Sequence, residues 1–578
     1  MAIRSLRGPT ARTKSKVSPG DGRLLILRGV MLLGFLAVAG RLFVLQVLSH
    51  GFYSSLASEQ QGFWSNLVPE RGSVFLSDPK SDDGRFPAAI NRNTFVAFAD
   101  TKSLKDPADA AKKLSPVLGL AEGDLLLLMS KKDDPYIPLA KDLNDDNAEK
   151  VRTLGIHGIG LAKTQQRFYP EGSTLAHITG FVGSDAKRGR TGKYGIEGFM
   201  EKQLAGENGS LSADGTGDFR PAKDGAEVTL TIDRSIQFVA CQKLQEDVVK
   251  FGAAGGSVVI ANPKTGAILA LCNVPTFDPN AFAKTEDVSV FNDDAIFRAY
   301  EPGSVFKPLI MAAAIDAGLV TPNTTFDDTG AVKIGPFTIR NSDLAAHGTQ
   351  TMTQVLEKSL NTGMIWVSAK LGPDAMKKYV QAFGFGKQTG IELNSEVAGS
   401  IESLSKKGDI WSATASFGQG ITVTPVQLVA AYGALANGGK LMKPYIVASV
   451  KRPDGRVDKT EPQQVRQVVT ERTASLLGGM LVDVVENGHG KHAAVPGYWV
   501  GGKTGTAQIS AGASGYVKDA AIGSFVGYAP IDDPQFVMAV KLTKPTNVAW
   551  AESSAAPLFG DIAKFLVQYL QIPPERKN

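Results

Sequence analysis

At 578 residues the chain is too long for a single hydrophobic core and implies about two or three domains. With 43% hydrophobic and 21% charged residues, 62 glycines and 30 prolines, it reads as folded and turn-rich, which excludes a disordered or fibrous protein. A formal net charge of +5 is small for this length and argues against a nucleic-acid partner, and two cysteines with six scattered histidines make no zinc spacing, so neither metal nor cofactor is expected.

Residues 1–23 are polar and basic, with Arg4, Arg7, Arg12, Lys14, Lys16 and Arg23 against the single acid Asp21. Residues 24–48 then read LLILRGVMLLGFLAVAGRLFVLQVL, long enough to cross a bilayer. Arg28 lies near the start and can snorkel to the interface. Arg41 lies deeper; it either faces a partner or snorkels to the opposite interface from a tilted helix, and the sequence leaves both open. No small-residue cleavage site precedes the bulky Phe52-Tyr53, so a single-pass anchor is expected rather than a signal peptide. The positive-inside rule places residues 1–23 in the cytoplasm and the chain after about residue 49 outside.

Residues 49–222 are mixed in pattern and carry no catalytic constellation; a spacer or partner-binding module is expected. Residues 68–75 read as extended, 107–120 as a helix capped by Asp106 with Pro107 in its first turn, and 139–154 as a second helix. A basic, glycine-rich loop, Lys187-Arg188-Gly189-Arg190, follows, and His157 and His177 read as structural. At Asp224-Gly225 a turn opens an alternating strand over 226–233 and an amphipathic helix over 236–250. A β-hairpin over 256–261 and 267–271 comes next. Cys241 and Cys272 fall in separate elements, and whether they pair is left open.

The chemistry gathers around Tyr300-Glu301-Pro302-Gly303-Ser304-Val305-Phe306-Lys307-Pro308, which leads into an apolar helix ended by Gly318. Ser304 and Lys307, three apart, share one face of the first turn. A hydroxyl there has a proton acceptor beside it, and a helix N-terminus favours developing negative charge. Alone, the pair is equally a capping serine with a solvated lysine. Its company changes that: Ser359-Leu360-Asn361 follows about fifty residues later, and Lys503-Thr504-Gly505-Thr506 lies near the C-terminus. The intervening chain reads as mostly helical, with strands around Lys503, over 522–529 and over 536–542, and a last helix over 555–570. An α/β arrangement follows, an antiparallel sheet covered by helices. Gly497 to Thr504 also satisfies the phosphate-loop pattern, but Tyr498-Trp499-Val500 favours extended structure and no helix starts at Gly505, so nucleotide binding is not expected.

Taken in the order Ser-x-x-Lys, Ser-x-Asn, Lys-Thr-Gly, the three motifs resemble those of the penicilloyl-serine transferases. Over almost its whole length the chain resembles the monofunctional (class B) penicillin-binding proteins, nearest the septal, division-type peptidoglycan D,D-transpeptidase. Arg71-Gly72, residues 167–172, Gly195-Ile196-Glu197, residues 416–421 and residues 524–527 extend the likeness. It departs after Phe75, where Leu76-Ser77-Asp78-Pro79-Lys80 stands in place of Asp-Arg-Asn-Gly. The resemblance implies a cytoplasmic tail (1–23), a transmembrane helix (24–48), an elongated non-catalytic pedestal of dimerisation type (49–222) and a transpeptidase domain (223–578). No small accessory domains follow residue 578, which fits a Gram-negative-type member in the inner membrane.

By the same resemblance Ser304 is the nucleophile and Lys307 its base, with a pKa lowered by burial and by Lys503. Ser359 relays a proton to the leaving amine, Asn361 orients Lys307 and the substrate amide, and Lys503 supplies positive potential. Thr504, Gly505 and Thr506 line the place of the substrate carboxylate. Backbone N–H groups of Ser304 and Thr506 form the oxyanion hole, roughly 2.7–4 kcal/mol per donor. The donor is a stem peptide ending in D-Ala-D-Ala and the acceptor an amine on a neighbouring strand; water in its place gives carboxypeptidase activity. β-Lactams are expected inhibitors. A polytopic glycosyltransferase and small bitopic division regulators are the expected partners. An elongation-type transpeptidase for cell shape and a catalytically inactive division scaffold are the alternatives.

Overall fold

The computed structural model describes residues 19–44, 68–131, 134–185, 189–211, 219–510, 515–548 and 550–576. Tertiary contacts divide the chain into two units, residues 1–69 with 208–222, and residues 70–207 with 223–578. In the first unit, α1 (Pro19–Phe43) contains an 18-residue stretch, Ile26–Phe43, long and apolar enough to cross a membrane. The described helix includes residues 19–23, ahead of the expected span. Arg41 lies in its last turn. Residues 45–48 of the expected span, and Lys187-Arg188 of the expected basic loop, lie outside the described residues.

The second unit opens with β1 (Val74–Ser77) and the long β2 (Arg85–Ala99), which pairs with β1, β3 (Ile137–Leu143) and β4 (Ile159–Phe168). Between them α2 (Pro107–Leu118) starts where the Asp106 carboxylate accepts the N–H groups of Ala108 and Asp109, and ends at Gly119 in the left-handed conformation. A further helix, α3 (Glu122–Met129), follows it. The helix expected over 139–154 is instead strand β3 and helix α4 (Asp145–Thr153). Leu139 and Leu143 are four apart and mimic a helical period, yet exposed Pro138 between buried Ile137 and Leu139 is strand alternation. Asp142 has φ +59°, and the Asn144 side chain accepts the Asn147 N–H, so a new helix begins there.

Three stretches of this region meet in one buried ion cluster. Glu197, with no exposure, accepts from Arg71 Nε on Oε2 and from Arg167 Nε on Oε1, both at 2.6 Å. Arg71 also reaches Glu201 (2.6 Å), and Arg167 donates to Gly72 O (2.8 Å) and Asn91 Oδ1 (3.0 Å).

Beyond residue 223 the expected alternation produces β5 (Glu227–Asp233), with Val228, Leu230 and Ile232 buried. This strand runs parallel to β1 and antiparallel to β8 (Val447–Lys451), which pairs with β9 (Val457–Lys459). One sheet in the order β9-β8-β5-β1-β2-β3, with β4 also on β2, therefore joins strands from both sides of residue 223. A second sheet, antiparallel throughout, has the order β7-β6-β12-β11-β10. Its strands are β6 (Gly255–Ala261), β7 (Ile268–Val274), β10 (Gly501–Ser510), β11 (Tyr516–Ala529) and β12 (Phe536–Thr543).

Helices cover both faces of this second sheet. On one lie α5 (Arg234–Lys250) and α9 (Ala555–Tyr569), where Ile236, Leu244, Phe559 and Leu566 meet Val258, Ile260 and Val540. Each such large side chain contributes roughly 1.5–3 kcal/mol by leaving water. On the other lies α8 (Pro425–Ala436), over Val259, Val526 and Ala539, while α6 (Lys307–Asp316) is buried in the same core. Cys241 on α5 and Cys272 on β7 are joined as a disulfide, which answers the question the sequence left open. His177 is buried with Nε2 on Val290 O (2.9 Å), and His157 Nδ1 meets Ser103 O (3.0 Å), both structural roles as expected.

Candidate active site

Ser304 sits in a 3₁₀ turn, Gly303–Phe306, that runs straight into α6. In a 3₁₀ turn side chains at i and i+3 eclipse, so Ser304 and Lys307 do share a face. Pro308 opens α6 without losing a bond, since first-turn N–H groups have no intrahelical acceptor. Gly303 is required by its φ of +60° and by close approach: its N–H donates to Gly418 O at 3.1 Å. Glu301 ties the same turn outward, accepting from Gly420 N (3.0 Å) and from the Tyr516 hydroxyl (3.1 Å).

Lys307 is fully buried, and its Nζ donates to Ser359 O (2.5 Å), Ser359 Oγ (3.1 Å) and Asn361 Oδ1 (2.9 Å). Ser359 adopts φ +56°, a conformation costing of order 1–3 kcal/mol for a residue with a side chain, and in it both its carbonyl and its hydroxyl meet the amine. Asn361 opens α7 (Asn361–Leu371), and its Nδ2 donates to Arg340 O at 3.0 Å. Burial, and then the charge of Lys503, hold the Lys307 pKa well below that of an ordinary lysine.

Lys503, Thr504, Gly505 and Thr506 lie on β10, the edge strand of the second sheet. Lys503 is fully buried, with its ammonium on Thr504 O (3.1 Å) and Thr504 Oγ1 (3.2 Å); burial brings its pKa down to about 7 against the opposing charge of Glu552. Thr506 Oγ1 accepts the Ala551 N–H at 3.2 Å. At Gly505 a Cβ would stand 2.9 Å from Val305 Cγ1 and from Ser524 Oγ, and 3.0 Å from Pro302 O. The Ser304 turn thus packs directly on the strand where the side chain is missing. The supposed phosphate loop is a strand at Lys503, and that strand continues through Ser510 where a nucleotide site needs a helix.

All three motifs converge: Lys307 joins Ser359 and Asn361 directly, and the Ser304 turn packs on Gly505. A family model described as "Penicillin binding protein transpeptidase domain" matches residues 256–564. The chain belongs to the penicillin-binding protein transpeptidase family. A second model, "Penicillin-binding Protein dimerisation domain", matches residues 67–216 of this penicillin-binding protein, within the region read as non-catalytic. It is 33% identical to stage V sporulation protein D of Bacillus subtilis over 574 residues, 96% of this chain and 86% of the relative. It is 31% identical to a probable peptidoglycan D,D-transpeptidase, PbpC, of Pseudomonas aeruginosa over 570 residues, 96% of each. Among solved structures, penicillin binding protein 3 of Mycobacterium tuberculosis complexed with ampicillin matches with a TM-score of 0.70 and 27% identity, covering 88% of this chain and 97% of that one.

Around the motifs this penicillin-binding protein carries supporting groups that sequence reasoning missed. The Thr362 hydroxyl donates to Asp328 Oδ1 (2.7 Å), Asn341 Nδ2 donates to Asp328 Oδ2 (2.9 Å), and Asn341 Oδ1 accepts the Thr362 N–H (3.2 Å). This buried cluster fixes the start of α7 one residue after Asn361. Asp328-Thr329-Gly330 looks like an ordinary turn in sequence, and no spacing links it to Thr362. Ser524, on the family-like stretch 524–527, donates its hydroxyl to Gly505 O at 3.3 Å, a link that no sequence spacing announces.

Proposed function

We propose that this penicillin-binding protein is a class B peptidoglycan D,D-transpeptidase of the septal, division type, anchored by α1 with its N-terminus in the cytoplasm. The observation that carries the chemistry is the buried, pKa-lowered Lys307 held between Ser359 and Asn361, three residues from Ser304. Burial and the charge of Lys503 disfavour the ammonium form of this lysine, which suits it to take a proton as a base.

In the proposed reaction Ser304 Oγ attacks the carbonyl between two terminal D-alanines while its proton passes to Lys307 Nζ. The oxyanion that forms is held by the Ser304 and Thr506 N–H groups. The C–N bond then breaks, the departing D-alanine amine takes a proton delivered through Ser359, and an acyl-serine ester remains. An amine on a neighbouring strand attacks that ester, forming the cross-link and returning the proton to Ser304. Asn361 keeps Lys307 in place, while Lys503 with Thr504, Gly505 and Thr506 receives the terminal carboxylate. The Cys241–Cys272 disulfide fits an oxidising, external compartment for the catalytic part.

Support for the substrate comes from relatives named as peptidoglycan D,D-transpeptidases. The division role rests on the likeness along the chain, and the α1 helix and the non-catalytic region are the proposed contacts for a polytopic glycosyltransferase and small bitopic regulators. Depletion of the protein should give filamentous cells, with fluorescently tagged protein at midcell. Rounded cells with lateral labelling would favour the elongation-type role instead.

A further inference from the structure

The face of the second sheet that meets α8 carries a polar row. In-register neighbours across its five strands are Asn273 on β7, Ser257 on β6, Lys541 on β12, Ser524 on β11 and Gly505 on β10. Directly opposed residues of antiparallel strands share a face. Asn273, Ser257, Lys541 and Ser524 are at most 6% exposed. Polar side chains on four adjacent buried strands are costly, and the steps proposed for Ser304, Lys307 and Lys503 use none of them.

The far end of the row is tied to the one-turn helix Asp294–Phe297. Asn273 Nδ2 donates to Asp293 Oδ1 (2.8 Å), and the same oxygen accepts the Ala295 N–H (2.9 Å). Asp293 Oδ2, Asn273 Oδ1 and Ser257 Oγ have no protein partner, and among the described residues Lys541 forms no salt bridge. Burial pulls the Lys541 ammonium down to about 8 and pushes the Asp293 carboxyl up to about 7. Instead of a carboxylate, Lys541 Nζ meets the ring of Tyr300, 5.2 Å from its centroid.

The near end reaches both halves of the site. Ser524 Oγ donates to Gly505 O at 3.3 Å, and Lys541, its opposed neighbour on β12, meets the Tyr300 ring. Tyr300 exchanges two backbone bonds of 2.9 Å with Val423 and leads through Glu301-Pro302-Gly303 to Ser304. As an edge strand β10 has one sheet neighbour, β11, which carries Ser524 opposite Gly505.

We propose that Lys541, Ser524 and Tyr300 are positioning residues for acyl transfer, setting the Lys503–Thr506 segment at its working distance from Ser304. Ser524 holds the strand through Gly505, Lys541 beside it holds Tyr300 through the ring, and Tyr300 carries the nucleophile turn. The inference rests on the reading of Ser304 as nucleophile.

The test is β-lactam acylation of the full chain in detergent, resolved into a non-covalent binding constant and an acylation rate constant, with thermal melting alongside. Lys541→Met, Ser524→Ala and the double variant are compared with wild type at about pH 6, where Asp293 is mostly protonated and Lys541→Met leaves no buried anion behind. Each single variant should lower the acylation rate constant roughly tenfold with binding unchanged, the mark of a small misplacement. The double variant should fall no further than the slower single, because both act through one row. Wild-type rate constants in both single variants, or a loss confined to the binding constant, would overturn the proposal. If Lys541→Met does not fold, Ser524→Ala decides alone. Wild-type protein that is not acylated at Ser304 would refute the underlying reading, and this inference with it.

Discussion

Glu197→Ala removes the one carboxylate that faces both Arg71 and Arg167. Glu197 and Arg167 have side-chain exposures of 0% and 2%, so solvent cannot replace what is lost. Arg71 retains Glu201, whereas Arg167 keeps only the neutral acceptors Gly72 O and Asn91 Oδ1. Removing one partner of a buried pair costs about 3–5 kcal/mol, and serving two arginines puts this case near the upper end. Glu197→Gln should be nearly as damaging, because an amide turns a donor toward one of the two guanidinium groups. Lys113→Ala is the contrast: it breaks an exposed pair with Asp109 at 2.6 Å, worth about 0.3–0.5 kcal/mol. Urea midpoints of the purified variants, followed by tryptophan fluorescence, measure the difference. Equal midpoints for Glu197→Ala and Lys113→Ala would refute the idea that this cluster holds Arg71-Gly72 and Arg167 together.

Two further outcomes concern the site. Gly505→Ala places a Cβ against Val305, Ser524 and Pro302 O, so β10 must back away from the Ser304 turn. Stopped-flow acylation should slow by about a hundredfold, as for a misplacement near 1 Å; an unchanged rate would show that the close packing is not needed. Lys503, brought down to about 7, is mostly neutral at about pH 8, and a carboxylate docked beside it should restore the charge. Calorimetry of D-Ala-D-Ala peptide binding to Ser304→Ala protein, in buffers of different ionisation enthalpy, should show proton uptake at about pH 8 and none at about pH 5. In the free protein the same shift has the opposite use: between about 7 and 10.5 the unfolded chain holds the proton and the folded one does not, so this lysine makes stability rise with pH.

What was legible in the sequence was local. Ser304 and Lys307, or Ser359 and Asn361, sit within one turn of each other, so spacing alone puts them side by side. The strands over 226–233, 522–529 and 536–542 show in apolar alternation and in buried runs. Long-range pairing was hidden. Nothing in Val74–Ser77 says that it lies parallel to a strand some 150 residues on, since parallel partners share no turn. At 139–154 two leucines four apart mimic a helical period, and only the partner strand β2 settles residues 139–143 as a strand. The polar row was invisible for the same reason, as Lys541 reads as an edge charge until its register beside Ser257 and Ser524 is known. The Asp328–Asn341–Thr362 cluster joins a turn, a loop and a helix start, which no periodicity connects.

The most direct measurement is the mass of the protein after exposure to a β-lactam, whose strained amide and carboxylate resemble the end of a D-Ala-D-Ala peptide. One adduct per chain is expected, mapped to the peptide bearing Ser304 and slow to hydrolyse. Lys307→Ala should fold and acylate very slowly, because the nucleophile then lacks its base. Ser304→Ala should fold and remain unlabelled; an adduct that persists in Ser304→Ala at the wild-type rate would place the nucleophile elsewhere and contradict the acyl-serine mechanism.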